Sequence, residues 1–316
     1  MKATVLKIAM AAGLMAGVAT GAMAQQKNVT IGVSIPAATH GWTGGAVYHA
    51  QETAKALEKA HPGLKVIVKT SPDGASQANA LDDLTAQKID ALVVLPFNSD
   101  ELTDPVRQVK NKGVLVTVID RGLKDPSIQD IYVAGDNPGF GRIAGKYFAD
   151  TLKQGNIVVL RGIPTVLDDE RVTNFEKAIE GSGVKILDRQ YANWNRDDAF
   201  KVMQDFLSKH PKIDAVWAAD DDMALGVLEA IRQAKREDIK FVVGGAGMKE
   251  MVKRVMDGDK MIPVDVTYPP ALVATAMHVT AANFYSNAPM RGTFVLNAQL
   301  ITKDNAKDHY FPNSPF

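Results

Sequence analysis

The sequence predicts an α/β protein built as two doubly wound, Rossmann-like lobes that are joined by a multi-strand hinge. Three observations support this fold class. Short apolar runs rich in β-branched residues alternate with longer helical patterns, as they do in βαβ units. The alternation stops near the middle of the chain and then starts again. Finally, the 316 residues, 46% of them hydrophobic, exceed what one core usually needs.

The first half carries four strand-like runs with helical segments between them. The predicted strands are Val29–Ile35, Lys65–Lys69, Ala91–Leu95 and Val114–Ile119. The predicted helices are Thr43–Ala60, Ser76–Gln87 and Asp104–Lys112. Alternating elements of this kind form parallel sheets with right-handed crossovers. The segment Tyr132–Asn137 then predicts a crossing to the second lobe.

The second half repeats the same topology, beginning with a helix at Pro138–Lys153. The predicted strands are Ile157–Leu160, Lys185–Leu187, Ala215–Trp217 and Phe241–Val243. The predicted helices between them are Asp168–Glu180, Arg196–Lys209 and Asp221–Ala234. The remaining segments are too few for a third domain, so we expect them to cross between the lobes; they are Ile262–Val266, Ala271–Phe284 and Phe294–Ile301.

These crossings define the expected domain organisation. The N-terminal lobe is predicted to comprise residues 25–134 with 269–297, and the C-terminal lobe residues 135–268 with 298–316. Ligands of open α/β sheets bind at the carboxyl ends of the strands. The binding site is therefore predicted between the two lobes, which would move by hinge closure.

The first 24 residues have the pattern of a cleavable export signal. Lys2 and Lys7 supply positive charge, and the apolar run Ile8–Ala19 is too short to span a bilayer comfortably. Ala22–Ala24 has the small residues of a cleavage site. We therefore predict a signal peptide at residues 1–24 and a periplasmic location. Export disfavours nicotinamide-dependent dehydrogenases, kinases and DNA-bound repressors, whose cofactors and targets stay inside the cell.

Composition excludes further classes of protein. The 36 basic and 36 acidic side chains cancel, and no basic run stands out, so nucleic acid is not an expected partner. Cysteine is absent, which excludes disulfides, a thiol nucleophile, thiolate metal sites and a lipid-modified cysteine. The six histidines show no close metal-ligand spacing. No glycine-rich dinucleotide fingerprint and no GxSxG elbow occurs, so we predict no cofactor and no metal.

Asp220–Asp222 is the sharpest chemical feature, because three carboxylates follow the strand that ends near Ala219. In an enzyme they could ligate a metal or form an acid/base pair. Alternatively, Asp220 or Asp221 caps the following helix and Asp222 occupies its first turn. Capping leaves one carboxylate, which we assign to Asp220, free to point into the cleft.

Polar and aromatic residues also follow the ends of other predicted strands. This set contains His40 and Trp42 after the first strand, Asp120 and Arg121 after the fourth, Arg171, and Trp194. Indole faces cover the C–H side of a sugar ring, while carboxylates and guanidinium groups bind hydroxyls in pairs. We therefore predict a polyhydroxylated ligand. Trp217 lies inside a strand and is assigned to the core, whereas Tyr268 fits either hinge packing or the cleft wall.

At these residues the chain resembles the periplasmic sugar-binding proteins of ABC transporters, of the ribose-binding type with the type I fold. The matching pieces are Val118–Arg121, Gly135–Asn137 with Gly141 and Gly145, Arg171 ahead of Phe175, and Ala215–Gly226. The resemblance implies that sugar hydroxyls are held by Asp120, Arg121, Arg171 and Asp220. It also implies that Trp42 and Trp194 are the stacking aromatics, and that His40 stands where ribose binders carry Asn.

The chain departs from that family pattern at two positions. Ala246 stands where many relatives have a ligand-holding Asp, and Thr267 stands where they often have Gln or Asn. Asp265, on the same strand face as Thr267, is a candidate substitute ligand. The expected ligand is therefore a sugar or sugar alcohol other than ribose itself.

The resemblance implies a binding protein, not an enzyme, that delivers its ligand to an inner-membrane ABC permease, with a chemoreceptor as a further candidate partner. Two alternatives stay open from the sequence. One is a binding protein for a signal molecule such as a furanosyl autoinducer. The other is a secreted carbohydrate-active enzyme that uses Asp220–Asp222 with a divalent metal.

Overall fold

The computed structural model describes residues 27–38, 40–286 and 288–316. The predicted signal peptide at residues 1–24 lies outside this part of the chain. The strands are β1 (Val29–Pro36), β2 (Leu64–Ser71), β3 (Ala91–Val94), β4 (Leu115–Ile119), β5 (Ile131–Gly135), β6 (Gln154–Arg161), β7 (Gly183–Tyr191), β8 (Ala215–Ala218), β9 (Phe241–Val243), β10 (Asp265–Val266), β11 (Gly292–Leu296) and β12 (Leu300–Ile301). The helices are α1 (Gly41–Ala60), α2 (Gly74–Ala86), α3 (Ser99–Asn111), α4 (Asn137–Leu152), α5 (Val166–Ile179), α6 (Arg196–Lys209), α7 (Asp221–Ala234), α8 (Lys249–Asp257) and α9 (Leu272–Tyr285).

Two parallel sheets organise the molecule, one in each lobe. The first sheet has the order β11-β5-β4-β3-β1-β2, and the second has the order β7-β6-β8-β9. A short antiparallel pair, β10 with β12, completes the hinge region next to the second sheet. The predicted α/β fold with two doubly wound lobes is confirmed.

The chain passes between the lobes at three places, which together make the hinge. It leaves the first sheet after β5, returns between β10 and α9, and crosses again between β11 and β12. The prediction of a crossing at Tyr132–Asn137 was wrong in part, because Tyr132 to Gly135 pair with β4 and β11 as a strand of the first sheet. The residues of this segment that face inward are apolar, which favours a strand inside the sheet over an irregular linker.

Helix boundaries follow local capping chemistry. Asn195 and Asp220 each accept a backbone N–H from the first turn of the helix that they precede, so α6 and α7 begin where the sequence predicted. Helix α3 begins earlier than predicted, because Asn98 caps it and Pro105 lies inside the helix. The helix α8 was not predicted.

Aromatic packing fills the core of the second lobe. Trp217 is fully buried on β8, and its ring stacks on Phe175 with centroids 4.0 Å apart. Phe148 meets Phe175 edge-on at 5.3 Å. Trp217 is therefore a core residue, as the sequence predicted, and this core supports the end of the sheet from which the site residues project.

Residues 312–316 lie across the junction of the lobes. Lys249 of α8 donates hydrogen bonds to the carbonyl oxygens of Pro312 and Ser314, at 3.3 and 2.6 Å. The Phe316 side chain is buried and packs on Gly45 of α1. A Cβ added at Gly45 would lie 2.8 Å from the Cβ of Phe316. This segment thus contacts elements of both lobes.

Helices α4 and α5 approach so closely that Gly141 has no room for a side chain. A Cβ at Gly141 would lie 1.9 Å from the backbone oxygen of Arg171 and 3.0 Å from the backbone nitrogen of Phe175. We expect Gly141→Ala to destabilise the protein by about 1 to 3 kcal/mol, because backbone must move to admit the methyl group. Thermal denaturation measures this change.

Gly44→Ala in α1 is the matched control for that substitution. Its Cβ would meet only the Cβ of Ala38, at 3.9 Å, so alanine should stabilise the helix by up to about 1 kcal/mol. Equal melting temperatures for the two variants would contradict the close packing of α4 on α5.

Candidate functional site

A small cavity lies between the lobes at the carboxyl ends of the strands. It encloses about 50 Å³ and is lined by His40, Trp42, Asp120, Arg121, Ile163, Thr165, Leu167, Arg171, Trp194, Asp220, Ala246 and Tyr268. Six of these residues also line an outer groove of about 1360 Å³. Seven of the nine predicted site residues therefore meet in one place, and Asp265 and Thr267 are not among the lining residues.

A hydrogen-bonded network crosses the cavity from one lobe to the other. The hydroxyl group of Tyr268 donates to Oδ1 of Asp120, which follows β4. Nδ2 of Asn137 donates to the same hydroxyl at 3.2 Å, and Oδ1 of Asn137 accepts from Nε of Arg171 at 2.8 Å. Asp120 in the first lobe is thus connected to Arg171 in the second through the hinge residue Tyr268.

Arg171 is a buried cation that is held by both hydrogen bonds and rings. Its Nη1 donates to the carbonyl oxygen of Ala219 at 2.9 Å. Its Cζ lies 4.3 Å from the ring centroid of Phe140, 4.4 Å from that of Tyr268 and 5.2 Å from that of Trp194. Such contacts stabilise a desolvated guanidinium group and fix its plane. The remaining donors of the fork can bind ligand oxygens.

Two indole rings form apolar walls of the cavity. Trp42 lies in the first turn of α1, and its Nε1 donates to the carbonyl oxygen of Tyr268 at 2.9 Å. Trp194 comes from the loop after β7 and packs so tightly on Gly162 that a Cβ there would lie 1.9 Å from its ring. Contacts within the protein therefore hold both rings in place.

Backbone strain coincides with the cavity. Asp120, Trp194 and Ala246 adopt φ angles of +57°, +54° and +119°, which residues other than glycine rarely adopt. Such strain persists where the surrounding structure over-determines it, and it concentrates at functional sites. All three residues line the cavity.

Asp220 serves two purposes. Its Oδ1 accepts the backbone N–H of Met223 at 3.0 Å, which caps α7, and the residue also lines the cavity. Burial, and next the charges of Asp222 and Asp221, raise the pKa of Asp220 well above its ordinary value. A protonated carboxyl group can both donate to and accept from a sugar hydroxyl group.

His40 precedes α1 and contributes an unpaired nitrogen. Its Nδ1 is buried and has no hydrogen-bond partner. Burial lowers the pKa of His40, Arg121 lowers it further, and Asp222 and Asp120 oppose the shift. A neutral imidazole with a buried, unpaired nitrogen is suited to a neutral hydroxyl group of a ligand.

Arg121 lies at the boundary between the inner cavity and the outer groove. Its Nη1 donates to the carbonyl oxygen of Phe97, and the side chain lines both spaces. The bond to Phe97 orients the guanidinium group along the rim of the first lobe. Arg121 is thus placed to close over a ligand from the groove side.

Asp265 and Thr267 make other contacts. Asp265 is fully buried beside Asp221, whose two oxygens accept the backbone N–H groups of Gly245 and Met248 at 2.7 and 2.8 Å. Thr267 accepts the backbone N–H of Gln299 at 2.9 Å through its Oγ1. Neither of these two side chains lines the cavity.

Asp221 and Asp265 form a buried pair of carboxyl groups. Burial raises the pKa of Asp265 to about 7, and burial together with the Asp265 charge raises the pKa of Asp221 well above its ordinary value. Oδ2 of Asp265 is buried without a hydrogen-bond partner.

This pair predicts a pH-dependent contribution to stability. The pKa of an aspartate side chain is about 4 in the unfolded state, and the pKa of Asp265 is about 7 in the folded state. Between these two pH values the folded state binds more protons than the unfolded state. The contribution to stability is therefore full below about pH 4 and is lost as pH rises through this window. In Asp265→Asn a neutral amide replaces one of the two carboxyl groups of the pair at every pH. As pH rises through this window, the variant should therefore become more stable relative to wild type, by up to about 1.4 kcal/mol per pH unit. Melting temperatures at pH 5 and pH 8 test this, and an equal difference at both would contradict it.

The three carboxylates Asp220–Asp222 do not converge. Asp220 caps α7, Asp221 accepts from the loop after β9, and Asp222 accepts from Gly41 and Arg196. Among the residues that the structure describes, no group of three or more His, Asp or Glu side chains could hold a metal ion. In the same part of the chain, no helix has the length and apolarity that crossing a membrane requires.

Asp222 connects the two lobes directly. Its Oδ2 accepts the backbone N–H of Gly41 at 2.9 Å, and its Oδ1 accepts from Nη2 of Arg196 at 3.0 Å. Gly41 begins α1 in the first lobe, whereas Asp222 lies in the first turn of α7 in the second. A carboxylate of one lobe therefore binds a free donor at the helix N-terminus of the other, where the helix dipole favours negative charge.

Several lining residues were not predicted. Ile163, Thr165 and Leu167 come from the loop after β6 and the start of α5, and Tyr268 was assigned to either of two roles. Asn137 lies in a segment that matches the family pattern, but no role in the site was predicted for it. The signal that could have found the loop residues is their position after the carboxyl end of a strand, the same signal that identified Asp120.

Comparison with known proteins identifies the family. The family model described as a periplasmic binding protein domain matches residues 31–284. The matched range contains both parallel sheets except for the first residues of β1 and the strand β11. The chain therefore belongs to the periplasmic binding protein family.

Individual relatives agree with this assignment. The chain is 30% identical over 227 residues to the D-ribose/D-allose-binding protein of Pseudomonas aeruginosa, covering 68% of this chain and 71% of that protein. It is 30% identical over 261 residues to the D-apiose import binding protein of Paraburkholderia graminis, covering 81% and 82%. A solved ABC transporter solute-binding protein of Mycobacterium smegmatis with bound glycerol is similar with a TM-score of 0.80 and 26% identity, covering 91% of this chain and 99% of that one.

Proposed function

We propose that this protein is the solute-binding component of an ABC importer, which captures a sugar or sugar alcohol between its lobes and delivers it to an inner-membrane permease. The observation that carries the proposal is the composition of the cavity. Two fixed indole rings face a space that is also lined by Arg171, Asp120 and Asp220. Rings that cover C–H faces and charged groups that bind hydroxyls in pairs are what a polyhydroxylated ligand requires.

The unpaired Nδ1 of His40 supports the same ligand chemistry. A buried nitrogen without a partner costs free energy, and a ligand hydroxyl group would remove that cost. The relatives support the class of ligand, since they are named as binding proteins for ribose, allose and apiose. They give no support to an autoinducer or to an enzyme, and the divergent contacts of Asp220–Asp222 disfavour joint catalysis by these carboxylates.

The proposal includes the periplasm as location and the predicted signal peptide as the means of export. It also includes lobes that comprise residues 25–134 with 269–297 and residues 135–268 with 298–316. Membership of the two sheets supports this division, because the chain passes between them near residues 135, 268 and 298. Closure would be favoured because a ligand contacts both sets of residues at once only in the closed form.

A thermal-shift screen against sugars, sugar alcohols, amino sugars and furanosyl signal molecules tests the proposal. A ligand at about 100 times its dissociation constant stabilises the folded state by roughly 2.7 kcal/mol. We expect a saturable shift with at least one sugar or polyol, and no shift with that compound in Asp120→Ala. Stabilisation by a signal molecule alone, or by no compound, would contradict the proposed ligand class.

A further inference from the structure

Residues 312–316 are anchored to the second lobe through α8. Nζ of Lys249 donates to the carbonyl oxygens of Pro312 and Ser314, at 3.3 and 2.6 Å. The side chain of Ser314 is buried, and its Oγ accepts the backbone N–H of Phe316 at 3.2 Å. These hydrogen bonds fix the turn from which the Phe316 side chain projects.

The ring of Phe316 lies against the first lobe. The residue is 4% exposed, whereas Phe311 in the same segment is 62% exposed. A Cβ added at Gly45 of α1 would lie 2.8 Å from the Cβ of Phe316 and 2.7 Å from Cγ of Pro270, which precedes α9. A Cβ added at Gly41 would lie 3.2 Å from Cδ2 of the Phe316 ring. The two glycines therefore leave the space on α1 that the ring occupies.

Gly41 lies where the two lobes already meet. Its backbone N–H donates to Oδ2 of Asp222 at 2.9 Å, and a Cβ at this glycine would lie 3.2 Å from Cε of Met248, at the start of α8. Its neighbours His40 and Trp42 line the cavity. The docked aromatic ring is thus next to the interlobe contact and close to the site, although residues 312–316 line neither the cavity nor the outer groove.

The connection between the two anchors is short and stiff. Only Pro315 separates Ser314, whose carbonyl oxygen binds Lys249, from Phe316. Two residues of extended chain span about 7 Å at most, and proline fixes its own φ angle. Lobes that move apart must therefore break either the contact of Phe316 with α1 or the hydrogen bonds of Lys249.

We propose that residues 312–316 form an interlobe strap, which holds the lobes together by docking Phe316 of the second lobe on α1 of the first. A docked aromatic side chain buries about 150 to 250 Å² of surface. Because this contact exists only when the lobes are close, it shifts the population of molecules toward the closed form. The strap does not line the cavity, so it favours closure with any ligand or with none.

Spin labels on the two lobes test the strap, and the absence of cysteine from the sequence allows them to be placed at chosen positions. Gln108 of α3 and Thr173 of α5 are exposed, and these two helices begin on opposite sides of the outer groove. Labels on Gln108→Cys and Thr173→Cys report the separation of the lobes by double electron-electron resonance, in the whole protein without added ligand. In Phe316→Ala the ratio of open to closed molecules should rise at least about fivefold, the low end of typical coupling between sites.

A second variant and two controls accompany Phe316→Ala. Lys249→Met removes the anchor on α8 and should raise the same ratio, so it decides the test should the alanine variant fail to fold. Phe311→Ala removes the exposed ring of the same segment and should keep the wild-type ratio. Lys253→Met should keep it too, because Lys253 pairs with Asp257 of its own helix.

The outcomes separate this inference from the proposed function. A folded Phe316→Ala variant with the wild-type ratio would overturn the strap, and so would a wild-type ratio in Lys249→Met. An equal rise in either control would also overturn it, because neither control removes a contact between the lobes. The distances are measured without a sugar, so a failure of the strap leaves the proposed function standing, and a protein that binds no sugar would leave the strap standing.

Discussion

Replacing Arg171 by lysine should weaken ligand binding by about 100-fold or more. Arg171 donates to Asn137 and Ala219, lies against three aromatic rings and lines the cavity. Lysine keeps the charge but loses the planar fork and the stacking. Each lost charge-assisted hydrogen bond is worth about 1.5 to 3 kcal/mol, and about 1.4 kcal/mol corresponds to tenfold in affinity.

Arg189→Lys is the control for this substitution. Arg189 lies in the same lobe and pairs with Glu176, but half of its side chain is exposed to solvent. An exposed ion pair contributes little, so we expect unchanged affinity in isothermal titration. Equal affinities for Arg171→Lys and wild type would show that this guanidinium group does not contact the ligand.

Removing the carboxylate of Asp222 should weaken binding by about tenfold without removing any lining residue of the cavity. Asp222 accepts the Gly41 N–H across the cleft, a contact that exists only when the lobes are close. The loss of one charge-assisted bond of about 1.5 kcal/mol should appear mainly as faster dissociation. Stopped-flow fluorescence measures this rate, and small-angle X-ray scattering of the ligand-bound variant should show a larger population of open molecules.

Two further variants sharpen that prediction. Gly41→Ala would place a Cβ 2.5 Å from Oδ2 of Asp222, so it should also speed dissociation. Arg196→Gln removes the other partner of Asp222, which lies in the same lobe, and should have a smaller effect. Faster dissociation in Arg196→Gln than in Gly41→Ala would contradict an interlobe role for Asp222.

Local sequence signals explain why much of the fold could be predicted. Strand-like runs such as Phe241–Val243 are apolar throughout because both faces of a parallel sheet are covered. The helices α6 and α7 begin at side chains that cap them, and capping residues are visible in sequence. These signals need no knowledge of tertiary contacts.

The incorrect boundaries arose where tertiary packing outweighs local pattern. The helix was predicted to start at Asp104, but the cap at Asn98 allows α3 to begin at Ser99 with Pro105 inside the helix. The strand β5 was interpreted as a crossing because it directly precedes one. Its pairing with β11, more than 150 residues later, is a long-range contact that no local pattern reveals.

In the site, the positions of residues could be predicted from the sequence, but the orientations of some side chains could not. Position after a strand predicted that Asp120, Arg171 and Trp194 would lie at one rim, and all three line the cavity. The orientation of side chains on the hinge could not be predicted in this way. The resemblance suggested Thr267, and alternation along an extended strand then suggested Asp265, but the cavity receives Tyr268, because Asp265 faces the buried carboxyl group of Asp221.

Tryptophan fluorescence tests the central claim most directly, because the three tryptophans differ in location. Trp42 and Trp194 line the cavity, whereas Trp217 is fully buried in the core of the second lobe. A sugar or polyol identified by thermal shift should change the fluorescence of wild type and of Trp217→Phe saturably. The double variant Trp42→Phe, Trp194→Phe should show neither this change nor wild-type affinity. A full response with wild-type affinity in the double variant would place the ligand outside the interlobe cavity and contradict the account.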